Sequence, residues 1–443
     1  MSCFREYDIR GIYGDDITEA FAEALGRAFG TQILSEGGTI ISIGYDVRLS
    51  SPSLRSALLT GLLSTGLNVV DIGACTTPVL YFSLFQLKVD GGIMITASHN
   101  PAEYNGFKLC KGKTTIYGDD IQKIKNDMAQ KTFRQGNGIV TFEKDFLSIY
   151  LKYFTDHFGS FRGKKVVMDC GNGAGALIAP EIFKALGCDL IPLYCEPDGR
   201  FPNHHPDPTV PENLADLIAT VRKEGADLGV AFDGDADRLG AVDETGEIIW
   251  GDKLTLLFAT EILKKQSGAT IISEVKASQV LYDEIARQGG NGIMWKAGHS
   301  LIKAKMKETG ALLAGEMSGH IFFADRFFGF DDAIYAGCRL VEILTQGNRT
   351  LSSYFEGFPK THATPEIRVD CPDDRKFDIV KRCQERLQKE FEIIDVDGVR
   401  FLFDGGWGLV RASNTQPSLV LRFEADQLPR IKEMEQKVRL MVA

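Results

Sequence analysis

Strand-like and helix-like segments alternate along most of this chain, which places helices on the faces of sheets and makes an α/β fold the expectation. The first cycle is the clearest. Thr18 is positioned to cap a helix whose Phe21, Leu25, Ala28, Phe29 and Ile33 share one face, and Gly37-Gly38 then lead into a strand from Thr39 to Ile43. Ser51 reads as the N-cap of a second helix with Pro52 at its first position, followed by a strand from Asn68 to Ile72. Similar cycles start near Lys164, where Lys-Lys-Val-Val-Met-Asp enters a glycine-rich turn, and near Ala269, where Ala-Thr-Ile-Ile-Ser-Glu precedes a helix around Val280 to Arg287. Past Pro359 the pattern shortens to strands such as Ile367-Arg-Val-Asp and charged helices over Asp374 to Phe391 and Leu428 to Val442. The expected architecture is three related α/β domains with mixed sheets (1–144, 145–247 and 248–359) and a smaller C-terminal α+β domain (360–443).

Length agrees, since 443 residues exceed one core of ordinary size and suggest about three or four domains. No apolar run reaches the roughly 20 residues of a membrane span, and Met1-Ser-Cys-Phe-Arg-Glu-Tyr-Asp lacks the features of a signal peptide. A cytoplasmic protein with no membrane partner is expected, and a monomer. Nine cysteines scattered from Cys3 to Cys383 without a C-x-x-C pair read as reduced, buried small hydrophobes rather than a disulfide framework or zinc site. A net charge of −10 with no concentrated basic run argues against nucleic acid as a partner and leaves room for a small anionic substrate where a few basic side chains converge.

Two segments carry the chemistry. Thr96-Ala97-Ser98-His99-Asn100-Pro101 follows the apolar run Gly91-Gly-Ile-Met-Ile95, so a hydroxyl nucleophile stands where a strand stops and Asn-Pro bends the chain. Farther on, Asp233-Gly-Asp235-Ala-Asp237-Arg238 sets three carboxylates at alternate positions, and their mutual repulsion calls for a divalent cation. Together they suggest phosphoryl transfer. Asp233, Asp235, Asp237 and Glu244 also fit positions of an EF-hand loop, but that pattern needs glycine where Arg238 stands, and the flanks are strand-like rather than helical. A catalytic metal loop between two strands, with Arg238 meeting an anion beside the metal, is the better reading.

Gly171-Asn-Gly173-Ala-Gly-Ala176, with Glu196 beyond it, loosely satisfies a dinucleotide fingerprint, although a glycine-rich turn that permits close packing explains it as well. Gly315-Glu316-Met317-Ser318-Gly319-His320, read as an extended segment, projects Glu316 and Ser318 to one side, where they suit sugar hydroxyls. Arg411-Ala-Ser413-Asn414-Thr415-Gln-Pro417 supplies a guanidinium, two hydroxyls and an amide to phosphate oxygens.

In this order, and together with Glu6-Tyr7-Asp-Ile-Arg10-Gly, Asn105-Gly-Phe-Lys108, Val275-Lys276 and Gly298-His299-Ser300, these motifs resemble the α-D-phosphohexomutase superfamily over essentially the whole chain. The wording is most similar to bacterial phosphomannomutase/phosphoglucomutase. The resemblance implies four domains around a central cleft, each contributing one loop, and conversion of hexose 1-phosphate to hexose 6-phosphate through a 1,6-bisphosphate that turns around between two transfers. It implies Ser98 as phosphoserine and metal ligand, Asp233, Asp235 and Asp237 as Mg²⁺ ligands, and Tyr7, His299, Glu316, Ser318, Arg411, Ser413, Asn414 and Thr415 as substrate-binding. Arg238 and Lys276 are expected to face the phosphoryl group, Lys108, His320 and Arg10 to assist proton transfer, and His99 to orient Ser98. Hexose 1,6-bisphosphate is the expected activator.

Ala236, Ala297 and Gln416 depart from the family pattern without touching a ligand position. Met317 favours mannose and glucose, since phosphoglucosamine mutases usually carry glutamine there. Phosphoglucosamine mutase is the neighbouring alternative, and a non-catalytic sugar-phosphate or metal-binding protein the alternative from another class.

Overall fold

The computed structural model describes residues 3–413 and 417–442. They sort into two compact units, Met1–Gly251 with Ser318–Tyr354, and Asp252–Met317 with Phe355–Ala443.

The first unit opens with a mixed sheet in the order Ile9–Ile12, Tyr104–Lys111, Gly91–Ile95, Ile40–Tyr45, Asn68–Ala74, Val140–Phe142, with Thr114–Thr115 paired to Tyr104–Lys111. Its helix Glu19–Ser35 starts as the sequence predicts, the Thr18 hydroxyl accepting from the Phe21 amide. The next helix, Ser51–Leu63, corrects the N-cap: Ser50 holds that position without a side-chain cap bond, and Pro52 lies inside the first turn. The Ser51 hydroxyl is drawn inward instead, to Asp46 at 2.6 Å. Leu25, Phe29, Ile41, Ile43, Leu58, Leu62, Ile93 and Phe107 form the buried core between sheet and helices.

A second mixed sheet follows, in the order Ile248–Ile249, Leu239–Asp243, Leu228–Phe232, Lys165–Asp169, Asp189–Leu193. Leu228–Phe232 and Leu239–Asp243 pair antiparallel with Phe232 opposite Leu239, so residues 233–238 are the connection of a hairpin. That removes the EF-hand geometry, which needs helices on both flanks. The same unit holds the helix Ala333–Gly347, capped by Asp332, which accepts from the Tyr335 amide.

In the second unit, Asn291–Trp295, Thr270–Glu274 and Leu313–Gly315 lie parallel in that order, with Gln279–Arg287 and His299–Thr309 as helices. The C-terminal part is an antiparallel sheet in the order His362–Ala363, Ser418–Ala425, Gly406–Ala412, Val399–Phe403, Glu392–Ile394, with Ile367–Asp370 also on Ser418–Ala425. Its helices are Lys376–Leu387, shorter than the span read from charge pattern, and Leu428–Val442. Val399, Phe401, Val410, Leu421 and Phe423 fill its core. Among the described residues, no helix is long and apolar enough to cross a membrane.

Candidate active site

Ser98 follows the strand Gly91–Ile95 in a turn whose amide of Ser98 donates to the Thr96 hydroxyl at 2.9 Å. Its φ of +50° lies in the left-handed region, which costs an L-residue about 1–2 kcal/mol and so requires support from its surroundings. Arg48 supplies it. The Arg48 guanidinium, 1% exposed, donates to the carbonyl oxygens of Ser98 (2.7 Å), Asn100 (2.6 Å), Pro101 (2.6 Å) and Tyr104 (3.0 Å), and pairs with Asp46 at 3.2 Å. Burial depresses the Arg48 pKa, while Asp46 beside it favours the charge. Arg10, on the strand Ile9–Ile12, reaches the same turn through Asn100 and pairs with Asp8. Tyr7 stands half-buried just before that strand.

The Ser98 hydroxyl donates to Asp233 Oδ2 at 2.7 Å and lies 3.1 Å from His99 Nδ1. Burial, then the charges of Arg238 and Arg10, hold His99 well below the ordinary histidine range, so the ring is a neutral partner for the hydroxyl. The hairpin connection comes this close because Gly234 has no side chain: a Cβ there would stand 2.3 Å from the Ser98 carbonyl oxygen.

Asp233, Asp235 and Asp237 are all fully buried, and each offers an oxygen within 4.8 Å of the others. Lys108, from Tyr104–Lys111, donates to Asp235 (2.7 Å) and Asp237 (2.5 Å), and Thr77 donates to Asp235 at 2.5 Å. One lysine against three carboxylates leaves room for a further double positive charge. Burial and repulsion from Asp235 and Asp237 push the Asp233 carboxyl well above the usual range. Burial acts on Asp235 in the same direction, but Lys108 and Thr77 hold it ionised. Burial opposes the Lys108 charge, and the two carboxylates more than restore it, so that lysine stays protonated. The Oδ1 atoms of Asp235 and Asp237 accept no hydrogen bond among the described residues, a cost of about 1–3 kcal/mol each that a hard, oxygen-seeking cation removes. The three carboxylates therefore fit a divalent metal.

Arg238, next in the chain, donates from Nε to His320 Nε2 at 3.0 Å, while His320 Nδ1 faces Asp331 (3.0 Å) and Asp237 (3.5 Å). The segment leading to His320 is a turn, not the extended stretch expected, because Gly319 (φ +90°) bends the chain and its carbonyl accepts from the Leu239 amide at 2.9 Å. Ser318 lies half-buried in this turn. The glycine-rich turn at 171–176 is a buttress rather than a nucleotide loop: the Ala174 amide donates to the Gly234 carbonyl at 2.9 Å, and a Cβ on Gly173 would meet that oxygen at 2.8 Å.

In the second unit the remaining groups are mostly cations held by carboxylates. Lys276 donates to Glu366 at 3.2 Å and lies 3.8 Å from Glu274. Arg411, on Gly406–Ala412, pairs with Asp397 at 2.9 Å, and Asp397 also accepts from the Ala297 amide at 3.0 Å. Glu316 accepts from the Gly298 amide at 2.7 Å, and His299 opens the helix His299–Thr309 with its Nδ1 3.3 Å from Lys303 Nζ. Ser413 begins the connection between two antiparallel strands, its amide donating to Ser418 and its carbonyl accepting from Lys376. Asn414 and Thr415 lie outside the described residues.

Four successive portions of the chain match the phosphoglucomutase/phosphomannomutase family: alpha/beta/alpha domain I at residues 1–135, domain II at 149–246, domain III at 250–362 and the C-terminal domain at 366–441. The chain belongs to this family. With it comes the α-D-phosphohexomutase superfamily and its four-domain α/β architecture. Phosphomannomutase/phosphoglucomutase of Pseudomonas aeruginosa is 50% identical over 435 residues, covering 97% of this chain and 94% of that protein. Phosphoglucomutase of Neisseria gonorrhoeae is 43% identical, covering 99% and 96%. The crystal structure of a phosphoglucomutase/phosphomannomutase family protein from Burkholderia thailandensis superposes with a TM-score of 0.94 at 41% identity, covering 99% of this chain and 96% of the other. At the level of fold alone, N-acetylphosphoglucosamine mutase of Aspergillus fumigatus, solved with glucose 1,6-bisphosphate, matches with a TM-score of 0.62 at 13% identity, covering 99% and 95%.

Within this phosphohexomutase the sequence reading missed the residues that hold the loops in place. Arg48 had a signal in Asp46-Val-Arg48, a salt-bridging pair at a strand end. Arg400 had none, as it is one of many strand arginines. Fully buried on Val399–Phe403, it donates to the carbonyls of Val275 (2.8 Å) and Ala277 (2.7 Å) and stacks on Trp407 at 3.7 Å, thereby framing Lys276. Glu274, Glu366, Asp397 and Asp331 are partners whose roles only tertiary contact reveals.

Proposed function

We propose that this protein interconverts hexose 1-phosphate and hexose 6-phosphate, of mannose and glucose, through phospho-Ser98 and a hexose 1,6-bisphosphate that reorients between two phosphoryl transfers. The observation that carries the reading is the Ser98 hydroxyl, held in a left-handed turn and donating at 2.7 Å to one of three fully buried aspartates. An all-oxygen donor set of this size suits Mg²⁺. When bound to Asp233, Asp235 and Asp237, that ion supplies charge neutralisation to the phosphoryl group on Ser98.

The chain's own residues do the rest. Phosphoryl transfer depends mostly on positioning and charge, and a unit charge pair at 4 Å gains about 4 kcal/mol at an effective dielectric of 20 against about 1 in water. Arg48 fixes the Ser98 carbonyl, His99 and Asp233 orient its oxygen, and Lys108 balances the aspartates. Lys108 and Arg10 are each engaged with carboxylates, so their part is charge balance. The proton of the attacking sugar hydroxyl is assigned to His320 Nε2, which is released to take it when Arg238 turns from that nitrogen to the phosphoryl oxygens. Arg411 and Ser413, with Asn414 and Thr415, hold the phosphate that is not being transferred. Glu316, Ser318, His299 and Tyr7 read the sugar, and Lys276 meets anionic oxygen.

Turnover of glucose 1-phosphate, coupled to glucose-6-phosphate dehydrogenase, tests the reading, and comparison with mannose and glucosamine 1-phosphates orders the sugars. Turnover of glucose 1-phosphate in the presence of Mg²⁺ and glucose 1,6-bisphosphate is expected. Preference for glucosamine 1-phosphate overturns the assignment of the sugar.

A further inference from the structure

Cys170 and Cys195 lie with their sulfurs 3.2 Å apart, both as free thiols. Cys170 follows the strand Lys165–Asp169, and Cys195 stands just past the neighbouring parallel strand Asp189–Leu193. Tyr194 between them adopts a left-handed φ of +51°, which breaks the strand's alternation. The two chain ends are stitched together by the Cys170 amide on the Leu193 carbonyl (3.2 Å), the Asn172 amide on the Tyr194 carbonyl (2.9 Å) and the Asn172 side chain on the Glu196 carbonyl (2.9 Å). The backbone thus holds the sulfurs near each other, and closing 3.2 Å to the ~2.05 Å of a bond asks for side-chain rotation with a small local shift of the backbone at Cys170, not displacement of the whole strand.

We propose that Cys170 and Cys195 are a modification site for two-electron oxidants of the peroxide class, closing to a disulfide that slows turnover through the acidic loop. Cys195 is part-exposed and Cys170 buried, so the first step falls on Cys195. Its thiolate attacks one peroxide oxygen, the O–O bond breaks, and hydroxide leaves with the thiol's proton as water, giving a sulfenic acid. The Cys170 sulfur then attacks the sulfenic sulfur. The S–O bond breaks, a second water leaves carrying the Cys170 proton, and the S–S bond forms. Two thiols have lost two electrons and one peroxide has gained them. Burial and the neighbouring Cys195 raise the Cys170 pKa, which keeps it a thiol while Cys195 meets the oxidant first; the 3.2 Å approach of the two sulfurs then brings it to the sulfenic acid.

The connection to catalysis is short. Cys170 is followed directly by Gly171-Asn172-Gly173, and the Ala174 amide bonds the Gly234 carbonyl in the centre of the aspartate loop. A shift of the Cys170 backbone is therefore passed to Asp233 and Asp235. Misplacement of a catalytic group by about 1 Å can cost about 100-fold in rate.

The test uses the full-length protein treated with hydrogen peroxide, alkylated, and digested with trypsin without reductant. Cleavage separates Cys170 in Val166–Lys184 from Cys195 in Ala185–Arg200, and a Cys188→Ser background leaves Cys195 as the only thiol of its peptide. The expected product is the cross-linked pair, about 2 Da below the sum of the two reduced peptides. Turnover should fall roughly 10- to 100-fold, return with dithiothreitol, and resist peroxide in Cys195→Ser. Absence of the cross-linked pair overturns the site even in an inactive preparation, so it fails separately from the mutase reading. A cross-linked pair with unchanged turnover overturns the link to the acidic loop.

Discussion

Around Ser98 three buried carboxylates face a single lysine, whereas around Arg411 and Lys276 each cation is already held by a carboxylate of its own unit. The first arrangement is short of positive charge and fits a cation. The second holds each cation oriented by a carboxylate, and on the proposed reading a phosphate, with more acceptor oxygens than one carboxylate, competes for them. The two regions nevertheless share one structural device. Arg48 gathers the carbonyls of the Ser98 turn, and Arg400 those on either side of Lys276. Burial lowers both, Arg400 to about 10, and both remain charged at neutral pH. In each unit a loop that carries proposed site residues is therefore positioned by a buried guanidinium bonded to its backbone carbonyls.

If the charge contrast is right, the largest effect comes from the acidic side. Asp235→Asn removes one charge at nearly constant volume, and kcat should fall by about 10²–10³ with little change in the unfolding midpoint. Chelation should abolish wild-type turnover reversibly. Full activity of the wild type in excess chelator breaks the contrast.

On the other side, Arg411→Ala deletes a charge-assisted contact of about 1.5–3 kcal/mol, so kcat/KM should drop roughly 10- to 150-fold. It should do so with hexose 1-phosphate and hexose 6-phosphate alike if, as proposed, one loop holds each non-reacting phosphate in turn. Loss in one direction only means that the two phosphates use different anchors.

The pH responses should also run in opposite senses. Glu366 works against its burial to reach a pKa of about 2, because Lys276 and Arg368 favour its charge. Its folded value lies below the unfolded one, so its stabilisation is present above about pH 4.5 and is lost as pH falls towards 2. At about 1.36 kcal/mol per unit this is at most roughly 3 kcal/mol, less what solvent screens. Asp332 is pushed up to about 7 by burial, with Tyr150 and the Tyr335 amide opposing. Its folded value lies above the unfolded one, so its contribution is present below about pH 4 and is lost as pH rises towards 7. In denaturant titrations, Glu366→Gln should destabilise at pH 7 and not near pH 2. Asp332→Asn should become more favourable relative to wild type between pH 4 and 7. Parallel pH profiles for the two variants would contradict these assignments.

The smallest effect is expected at Ala236, whose φ of +61° places an alanine in the left-handed region within the aspartate loop. Ala236→Gly should stabilise by about 1 kcal/mol in a thermal melt, with catalytic constants nearly unchanged. A loss of stability would show that the buried methyl matters more than the backbone.

The alternation of strands and helices was legible because its periodicity is local, and so were the Thr18 cap, the Leu428–Val442 helix and the hairpin that carries the aspartates. The second helix was misread at its cap because Ser50 and Ser51 are equally good capping residues in sequence, and only the pull of Asp46 on Ser51 separates them. The Gly319 turn was read as extended because its geometry depends on a bond to Leu239, far away in sequence. Ser98 and the three aspartates stood out by chemical type and spacing. Arg48, Arg400 and the carboxylates that hold Lys276 and Arg411 did not, because a buried arginine and an exposed one look alike until the chain is folded.

The central claim is that Ser98 carries the phosphoryl group, and mass spectrometry tests it on one peptide. After incubation with glucose 1,6-bisphosphate and removal of free ligand, tryptic Val89–Lys108, which contains Ser98, should gain about 80 Da. Fragmentation should place the phosphate on Ser98, and Ser98→Ala should lose both the increment and turnover. An unmodified Val89–Lys108 in turning-over enzyme, or a Ser98→Ala variant with wild-type kcat, would contradict the account.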